Sequence, residues 1–227
     1  MLGATIRRAG YAQVGRALRN TFRRVAWIGV PPLPPDGHPV VLYANHHVFH
    51  DSYVLGWLVE RVLARRTVVW MAELDRFPFF APLGVMPFPA DSARRRAASV
   101  RATQALMARD PRTTLIYYPE AVLHAAEEGL APFPADRIPR LARALPDALW
   151  WPVALRVTGF EAERPTVLLA AGEPHAADGG EAERLRMLLA RLADGDAAPA
   201  GAVLEGRPGA DERWDFTRFG PLFGVRR

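Results

Sequence analysis

Apolar residues fall along this chain in two rhythms, and the alternation between them sets out most of the architecture. Short unbroken apolar runs occur at Val40 to Ala44, Thr67 to Met71, Thr113 to Tyr118, Leu149 to Val157 and Pro165 to Ala171. Runs of this length bounded by turn residues predict buried strands. Between and after them come segments with apolar residues every three or four positions: Ser52 to Arg66, Ser92 to Arg109, Ile138 to Leu145 and Glu181 to Leu192. These predict helices, with Ser92 placed as an N-cap. Gly84 to Pro89 predicts a short extended segment. The proline-broken aromatic run Phe77 to Leu83 fits neither a regular helix nor a central strand. Strands alternating with helices predict an α/β fold built on a mainly parallel, helix-covered sheet.

The two ends read differently. Residues 1–30 carry Arg7, Arg8, Arg16, Arg19, Arg23 and Arg24 and no acid. Tyr11, Val14, Leu18, Phe22 and Val25 step by three or four along one helical face. This predicts a basic amphipathic helix that either lies on a membrane surface or packs on the core with its charged side in water. Pro31 to Pro35 stops that helix and forms a stiff spacer. The organisation expected is therefore an N-terminal membrane-surface helix and spacer over 1–35, an α/β domain over 36–175, and a C-terminal helix with an irregular tail over 176–227. Residues 194–212 read as a mobile loop. The aromatic and basic stretch Trp214 to Arg227 either docks on the domain or touches lipid.

Composition narrows the chemistry. With no cysteine there is no disulfide, thiolate metal site or cysteine nucleophile. All 29 basic residues are arginine, which excludes a lysine Schiff base and a P-loop lysine. The net charge of +5 suits an anionic partner such as a membrane, a nucleic acid or an acidic carrier. No run approaches the roughly 18 apolar residues of a spanning helix. Arginines interrupt any apolar stretch near the N-terminus, against a signal peptide. The expected location is inside the cell, on a membrane rather than through it.

The polar cluster Asn45-His46-His47-Val48-Phe49-His50-Asp51 sits between the strand at Val40 and the helix after Ser52. That is the carboxyl end of a strand, where open α/β sheets bind ligands. A histidine oriented by a carboxylate can take a proton from a hydroxyl. His46 and Asp51 could form such a pair, or could simply turn and cap the chain. His46, His47 and His50 also offer metal-like spacings, but without the glutamate of a His-Glu-x-x-His motif. Glu120, in Tyr117-Tyr118-Pro119-Glu120-Ala121, follows a buried strand at the same sheet edge and could bind a substrate hydroxyl or organise the pocket. Arg94, Arg95 and Arg96 open a helix and could clamp a phosphate, although consecutive helical residues diverge.

Four blocks in order give the chain a resemblance to the glycerolipid (lysophosphatidate, or 1-acylglycerol-3-phosphate) acyltransferase family: Asn45-His46-x4-Asp51, Gly84 to Arg96, Tyr118-Pro119-Glu120-Ala121 and Trp151-Pro152-Val153-Ala154. It covers roughly residues 36–175. The resemblance implies an O-acyltransferase in which His46 is the general base and Asp51 its partner. Asn45, Glu120 and one or more of Arg94, Arg95 and Arg96 would bind substrate. The acyl donor would be a thioester of coenzyme A or acyl carrier protein, and the acceptor a lipid hydroxyl such as that of a lysophospholipid. No metal, other cofactor or nucleic acid is implied, and the expected site is the cytoplasmic face of the cell membrane. The chain departs from the family pattern in two places. Asp91-Ser92 stands where the second block commonly ends in a phosphate-binding arginine. Ala121 stands for a glycine, and the basic and hydroxyl residues that usually follow are missing. These departures open the reading to a non-phosphate acceptor such as a glycolipid or carotenoid glycoside. A metal-dependent hydrolase and a non-catalytic membrane-associated relative are the other classes considered.

Overall fold

The computed structural model describes residues 2–159, 162–194, 199–213 and 222. The order of elements is α1 (Leu2–Thr21), β1 (Arg24–Ile28), β2 (Val40–Tyr43), α2 (Asp51–Trp57), β3 (Arg66–Met71), β4 (Val85–Pro87), α3 (Ala93–Arg109), β5 (Thr113–Tyr117), α4 (Arg137–Ala144), β6 (Leu149–Thr158), β7 (Thr166–Ala171), α5 (Glu181–Ala193), β8 (Pro199–Glu205) and α6 (Ala210–Arg213). The strands form one sheet in the order β4-β3-β5-β2-β6-β7-β1-β8. Five of its pairings are parallel; β6–β7 and β1–β8 are antiparallel. The fold is therefore the expected α/β architecture, with a mostly parallel sheet under helices and a basic helix at the N-terminus.

Helices cover both faces. On one, α1 and α2 pack Tyr11, Val14, Leu18, Val54, Leu55 and Trp57 onto the sheet. On the other, α3, α4 and α5 supply Met107, Ile138, Leu141, Leu185 and Leu188. Between these layers β2 is wholly buried, which explains its unbroken Val-Val-Leu-Tyr sequence.

Burial settles how the N-terminal pattern is used. Tyr11, Val14, Leu18, Phe22 and Val25 all lie in the core, each 7 % exposed or less. Burying a large apolar side chain is worth about 1.5–3 kcal/mol, so this face is committed to the sheet and is not free to enter lipid. Close helix contact reinforces it: a Cβ on Gly15 would fall 2.1 Å from the Trp57 ring. The helix also ends earlier than its periodicity predicts. Arg24 to Ile28 forms β1, pairing with β7 and β8. Val25 continues the three-to-four spacing, but β-branched and aromatic residues there satisfy strand pairing as well. The 1–35 segment is thus woven into the sheet.

Other boundaries shift for local reasons. The helix expected over Ser52 to Arg66 is α-helical to Trp57 and continues as a π-helical turn over Leu58–Val62. The aromatic run over Pro78–Leu83 is a 3-10 turn ended by Gly84 at φ +94°. The Ser92 hydroxyl accepts from the Arg95 amide at 3.3 Å, capping α3 as expected. Pro152 lies neither at an edge nor in a bulge: β6 pairs with β2 up to Pro152 and with β7 from Val153 on. The missing amide falls where one partner hands over to the other. Within 194–212, read as a mobile loop, β8 pairs with β1 and α6 follows. Apart from Leu222, the aromatic basic tail from Trp214 lies outside the described residues. Among the described residues no helix is long and apolar enough to cross a membrane.

Candidate active site

The segment joining β2 to α2 turns sharply at the carboxyl edge of the sheet, and one carboxylate organises it. Asp51, 2 % exposed, opens α2. Its Oδ2 accepts the backbone amides of His47 at 2.9 Å and Val48 at 3.0 Å and the Nδ1 of His46 at 3.1 Å. Two backbone amides fix the carboxylate before the imidazole is added, so the acid defines the ring's direction. A carboxylate only accepts, so His46 Nδ1 carries the proton and Nε2 holds the free lone pair. Nε2 makes no hydrogen bond with any described residue, and the His46 side chain retains 23 % exposure. The Tyr118 ring stacks on the imidazole at 4.2 Å between centroids and an interplanar angle of 19°. The Tyr118 hydroxyl is held by Ser52 Oγ at 3.0 Å, and burial pushes its pKa well above the usual phenol range. It is a neutral wall against which the base is held flat.

Glu120 lies at this edge as expected, but inside the protein. Its side chain is fully buried. Oε1 accepts the His46 amide at 2.8 Å; Oε2 accepts the Ala131 amide at 2.7 Å and faces His124 Nε2 at 2.6 Å. With these bonds the carboxylate positions the His46 backbone rather than presenting itself to a ligand. Ala121, next in sequence, adopts φ +59°, a left-handed conformation that favours glycine. The turn that delivers Glu120 is therefore strained at the residue where the resembled block carries glycine.

Asn45 is likewise internal. Its Oδ1 accepts the Leu155 amide at 2.9 Å and its Nδ2 donates to the Leu155 carbonyl at 3.0 Å, clasping the end of β2 to β6. The remaining Nδ2 proton points to His47 Nδ1 at 3.1 Å. The arginines are not brought to the dyad. They start α3 beyond β4, three strands from β2, or roughly 14 Å at about 4.8 Å per strand. Arg95 is held by both oxygens of Asp75 at 2.6 Å, and Arg96 donates to the carbonyls of Pro89 and Ala90. Arg94 is exposed and makes no ion pair among the described residues.

Metal-ligating residue types do meet here, in a different combination from the three clustered histidines. His50 is packed among Phe22, Phe49 and Tyr53, and burial lowers its pKa. His47, Glu120 and His124 instead bring ligand atoms within 4.8 Å of one another. Hydrogen bonding already occupies them. The Asn45 amide donates to His47 Nδ1, so the His47 proton sits on Nε2 and points to the Gly129 carbonyl at 3.2 Å. Burial lowers the His47 pKa and keeps that ring neutral. His124, conversely, is raised by its hydrogen bond to Glu120, and its Nδ1 faces the Ala125 carbonyl at 3.2 Å. A cation at this point would have to displace the Asn45 amide or the Gly129 contact at His47, and the proton between His124 and Glu120.

The roles of Tyr118 and His124 were not read from the sequence. The signals available were an aromatic two residues before Glu120 and a histidine four after it.

A cavity of about 890 Å³, lined by Arg7, Glu60, Arg65, Thr67 and Met86 among others, opens at the amino ends of β3 and β4. It includes neither His46 nor Asp51. Exposed apolar side chains occur in the segments next to the dyad: Phe49, 67 % exposed, lies between His46 and Asp51, and Val122 and Leu123 precede His124, whose amide donates to the His46 carbonyl at 3.3 Å. Comparison with protein-family models and with curated proteins gives no match.

Proposed function

We propose that the protein is an O-acyltransferase that moves a fatty acyl group from a thioester of coenzyme A or acyl carrier protein to a lipid hydroxyl. The observation carrying this reading is the His46–Asp51 pair, with Nδ1 tied to the acid and the ring still 23 % exposed. In the reaction the acceptor hydroxyl gives its proton to His46 Nε2 as its oxygen attacks the thioester carbonyl. The resulting tetrahedral oxyanion collapses, the carbon–sulfur bond breaks, and the leaving thiolate takes the proton back from the imidazolium. Asp51 stabilises that imidazolium and holds its tautomer. No covalent enzyme intermediate and no nucleophilic side chain is required, in keeping with a chain that lacks cysteine.

The acceptor class follows from the arginines. Arg95 and Arg96 are engaged by Asp75 and by backbone carbonyls, and all three arginines start α3 beyond β4, three strands from the dyad. This favours an acceptor without a phosphate, such as a glycolipid or another lipid alcohol, over lysophosphatidate. A lipid acceptor in turn places the work at a membrane surface, on the side where the thioesters are found.

The test is product analysis by mass spectrometry after incubation with labelled acyl thioester and fractionated lipid extract. An acylated lipid formed by the native protein and lost in His46→Ala supports the reading. Thiol release without an acylated lipid, or activity that vanishes in chelator and returns with a metal, replaces it with a hydrolase. No turnover across the acceptor panel leaves a membrane-associated relative without catalysis.

A further inference from the structure

The 890 Å³ cavity at the amino ends of β3 and β4 has a lining that combines apolar side chains with an excess of cations. Arg65, Arg66 and Arg112 all line it. Bonds to the backbone bring the three together. The Arg66 amide donates to the Arg112 carbonyl at 2.8 Å, and Arg65 Nη2 donates to the neighbouring Pro111 carbonyl at 3.0 Å.

Arg65 is buried, 4 % exposed, yet no carboxylate bonds its guanidinium. Nε donates to Thr114 Oγ1 at 2.9 Å and Nη2 to the carbonyls of His38 and Pro111, while Nη1 is buried with no partner among the described residues. A buried cation without a counter-ion is costly. Burial lowers its pKa; Asp36 and Asp110 oppose that shift, and the nearby Arg112 adds to it. The backbone leading to Arg65 is irregular as well. A π-helical turn over Leu58–Val62 is followed by Ala64 at φ +49°, a left-handed conformation that disfavours a residue with a side chain. Irregular backbone of this kind is common at functional sites.

The acids of the lining are already engaged. Glu60 Oε1 accepts from Arg7 and from the Thr67 amide, and Asp110 Oδ1 accepts the Arg112 amide. Arg66 and Arg112 are exposed, and their side chains bond no described residue. We propose that this cavity binds a small organic anion, a phosphate monoester or a carboxylate, whose head pairs with Arg66 and Arg112 beside Arg65 and whose apolar body lies against Ile6, Val85, Met86 and Leu106.

The planar guanidinium fork matches both heads. The volume calls for the apolar body: cavities of about 300–1,000 Å³ hold organic molecules of drug size, and an inorganic anion would leave most of this one empty. A ligand here touches α1 at Ile6 and α3 at Leu106, helices on opposite faces of the sheet, so its binding raises the melting temperature. The dyad plays no part, because His46 and Asp51 lie at the opposite ends of the strands. The inference does not rest on acyl transfer.

The experiment is calorimetric titration of the full chain with butyl, hexyl and octyl phosphate, with thermal unfolding of the same samples. Octanoate, octanol and inorganic phosphate are the comparison arms. One-to-one binding is expected, with affinity rising roughly twofold to fourfold per methylene. Octanol is expected to bind on the order of a hundredfold more weakly than octyl phosphate, and Arg66→Gln and Arg112→Gln each to lose on the order of tenfold. Comparing octyl phosphate with octanoate shows which head the site takes; tighter binding of either one than of octanol supports the proposal. Neither replacement removes a described side-chain hydrogen bond, so the unliganded variants melt with the native protein. His46→Ala binds as the native protein does, so failure of the chemistry and failure of this site are read separately. Octanol or inorganic phosphate binding as tightly as octyl phosphate overturns the proposal. So does native affinity in both arginine variants, or no heat and no rise in melting temperature with any probe at millimolar concentration.

Discussion

Asp51→Asn is the perturbation that separates orientation from charge at the proposed base. The replacement keeps the shape of the side chain. Its amide oxygen can still accept from the His47 and Val48 amides, now held at 2.9 and 3.0 Å. What it cannot do is offer a charged acceptor to His46 Nδ1 as the ring becomes an imidazolium. If the amide nitrogen turns toward His46 it donates to Nδ1, which drives the proton to Nε2 and removes the lone pair from the open side. Loss of general-base catalysis corresponds to about 10²–10⁴ in rate, or roughly 3–5 kcal/mol of transition-state stabilisation. Neutralising a hydrogen-bonded buried carboxylate weakens the fold by less, about 1–3 kcal/mol. The assay is thiol release from an acyl thioester with the acceptor found by product analysis, alongside thermal unfolding of the same preparation. Acyl transfer is expected to fall by at least about a hundredfold with KM nearly unchanged, in a protein that still melts cooperatively. Native turnover in a folded Asp51→Asn variant would refute the dyad and return Asp51 to the role of a turn-forming acceptor.

Three further outcomes follow from the groups around the dyad. Asn45→Ala strips both partners from the buried Leu155 peptide and is expected to destabilise the protein by about 2–4 kcal/mol in denaturant titration, a loss that a surface asparagine would not show. Ala121→Gly relieves the residue at φ +59° and is expected to raise stability by about 1 kcal/mol, an unchanged or lower melting temperature being the contrary result. The Glu120–His124 pair should make stability depend on pH. Because the folded His124 pKa is raised above its ordinary 6.5, its contribution is complete below that value and disappears as pH rises through the folded pKa. The melting-temperature gap between native and His124→Gln proteins is therefore widest in mild acid and closes on the alkaline side. Glu128, 3.9 Å from His124 Nδ1, acts in the same direction. The neighbouring His47, lowered by burial, titrates in both proteins and leaves the gap unaltered in sign. A gap independent of pH would show that His124 acts through packing alone.

How much of this was legible depended on how far each interaction reaches along the chain. The His46–Asp51 pair closes within five residues, so its spacing is visible in sequence. The buried strands β2, β5 and β6 announced themselves because burial on both faces demands continuous apolar runs. Asn45 was given a substrate-binding role, and Glu120 that role or the organising of the pocket; in the structure both side chains are bonded to backbone groups. The bonds that turn them inward, from Glu120 to the His46 amide and from Asn45 to the Leu155 peptide, span 74 and 110 residues, and no local pattern reports them. β1 was hidden because Val25 extends the helical period of α1. β8 was hidden because Pro-Ala-Gly-Ala-Val-Leu-Glu has little strand propensity of its own; pairing along β1 decides its conformation. The N-terminal helix shows the limit most clearly. Its periodicity specifies that one face is apolar but not what that face meets, and only the packing against Trp57 and the sheet distinguishes core from lipid.

That same packing bears on how an α/β sheet would carry the proposed base at a partly exposed edge. A base working on a small polar substrate gains from a closed pocket, where water is excluded and charge is strengthened. Here exposed Phe49 falls between His46 and Asp51 in the chain, exposed Val122 and Leu123 precede the His124 that binds the His46 carbonyl, and the 890 Å³ cavity is at the opposite ends of the strands. A substrate with a long apolar tail can exclude water itself, if the edge is seated where that tail resides. The interior then has one task, to hold the imidazole still. It does so by several independent means: two amides and the ring nitrogen on Asp51, Glu120 on the His46 amide, Tyr118 flat against the ring, and Asn45 pinning the strand from which the segment departs. Rigid placement of the base at a partly exposed edge is the combination that the proposed transfer to a membrane-borne alcohol would use. It also explains why Glu120 and Asn45 face inward rather than toward a ligand.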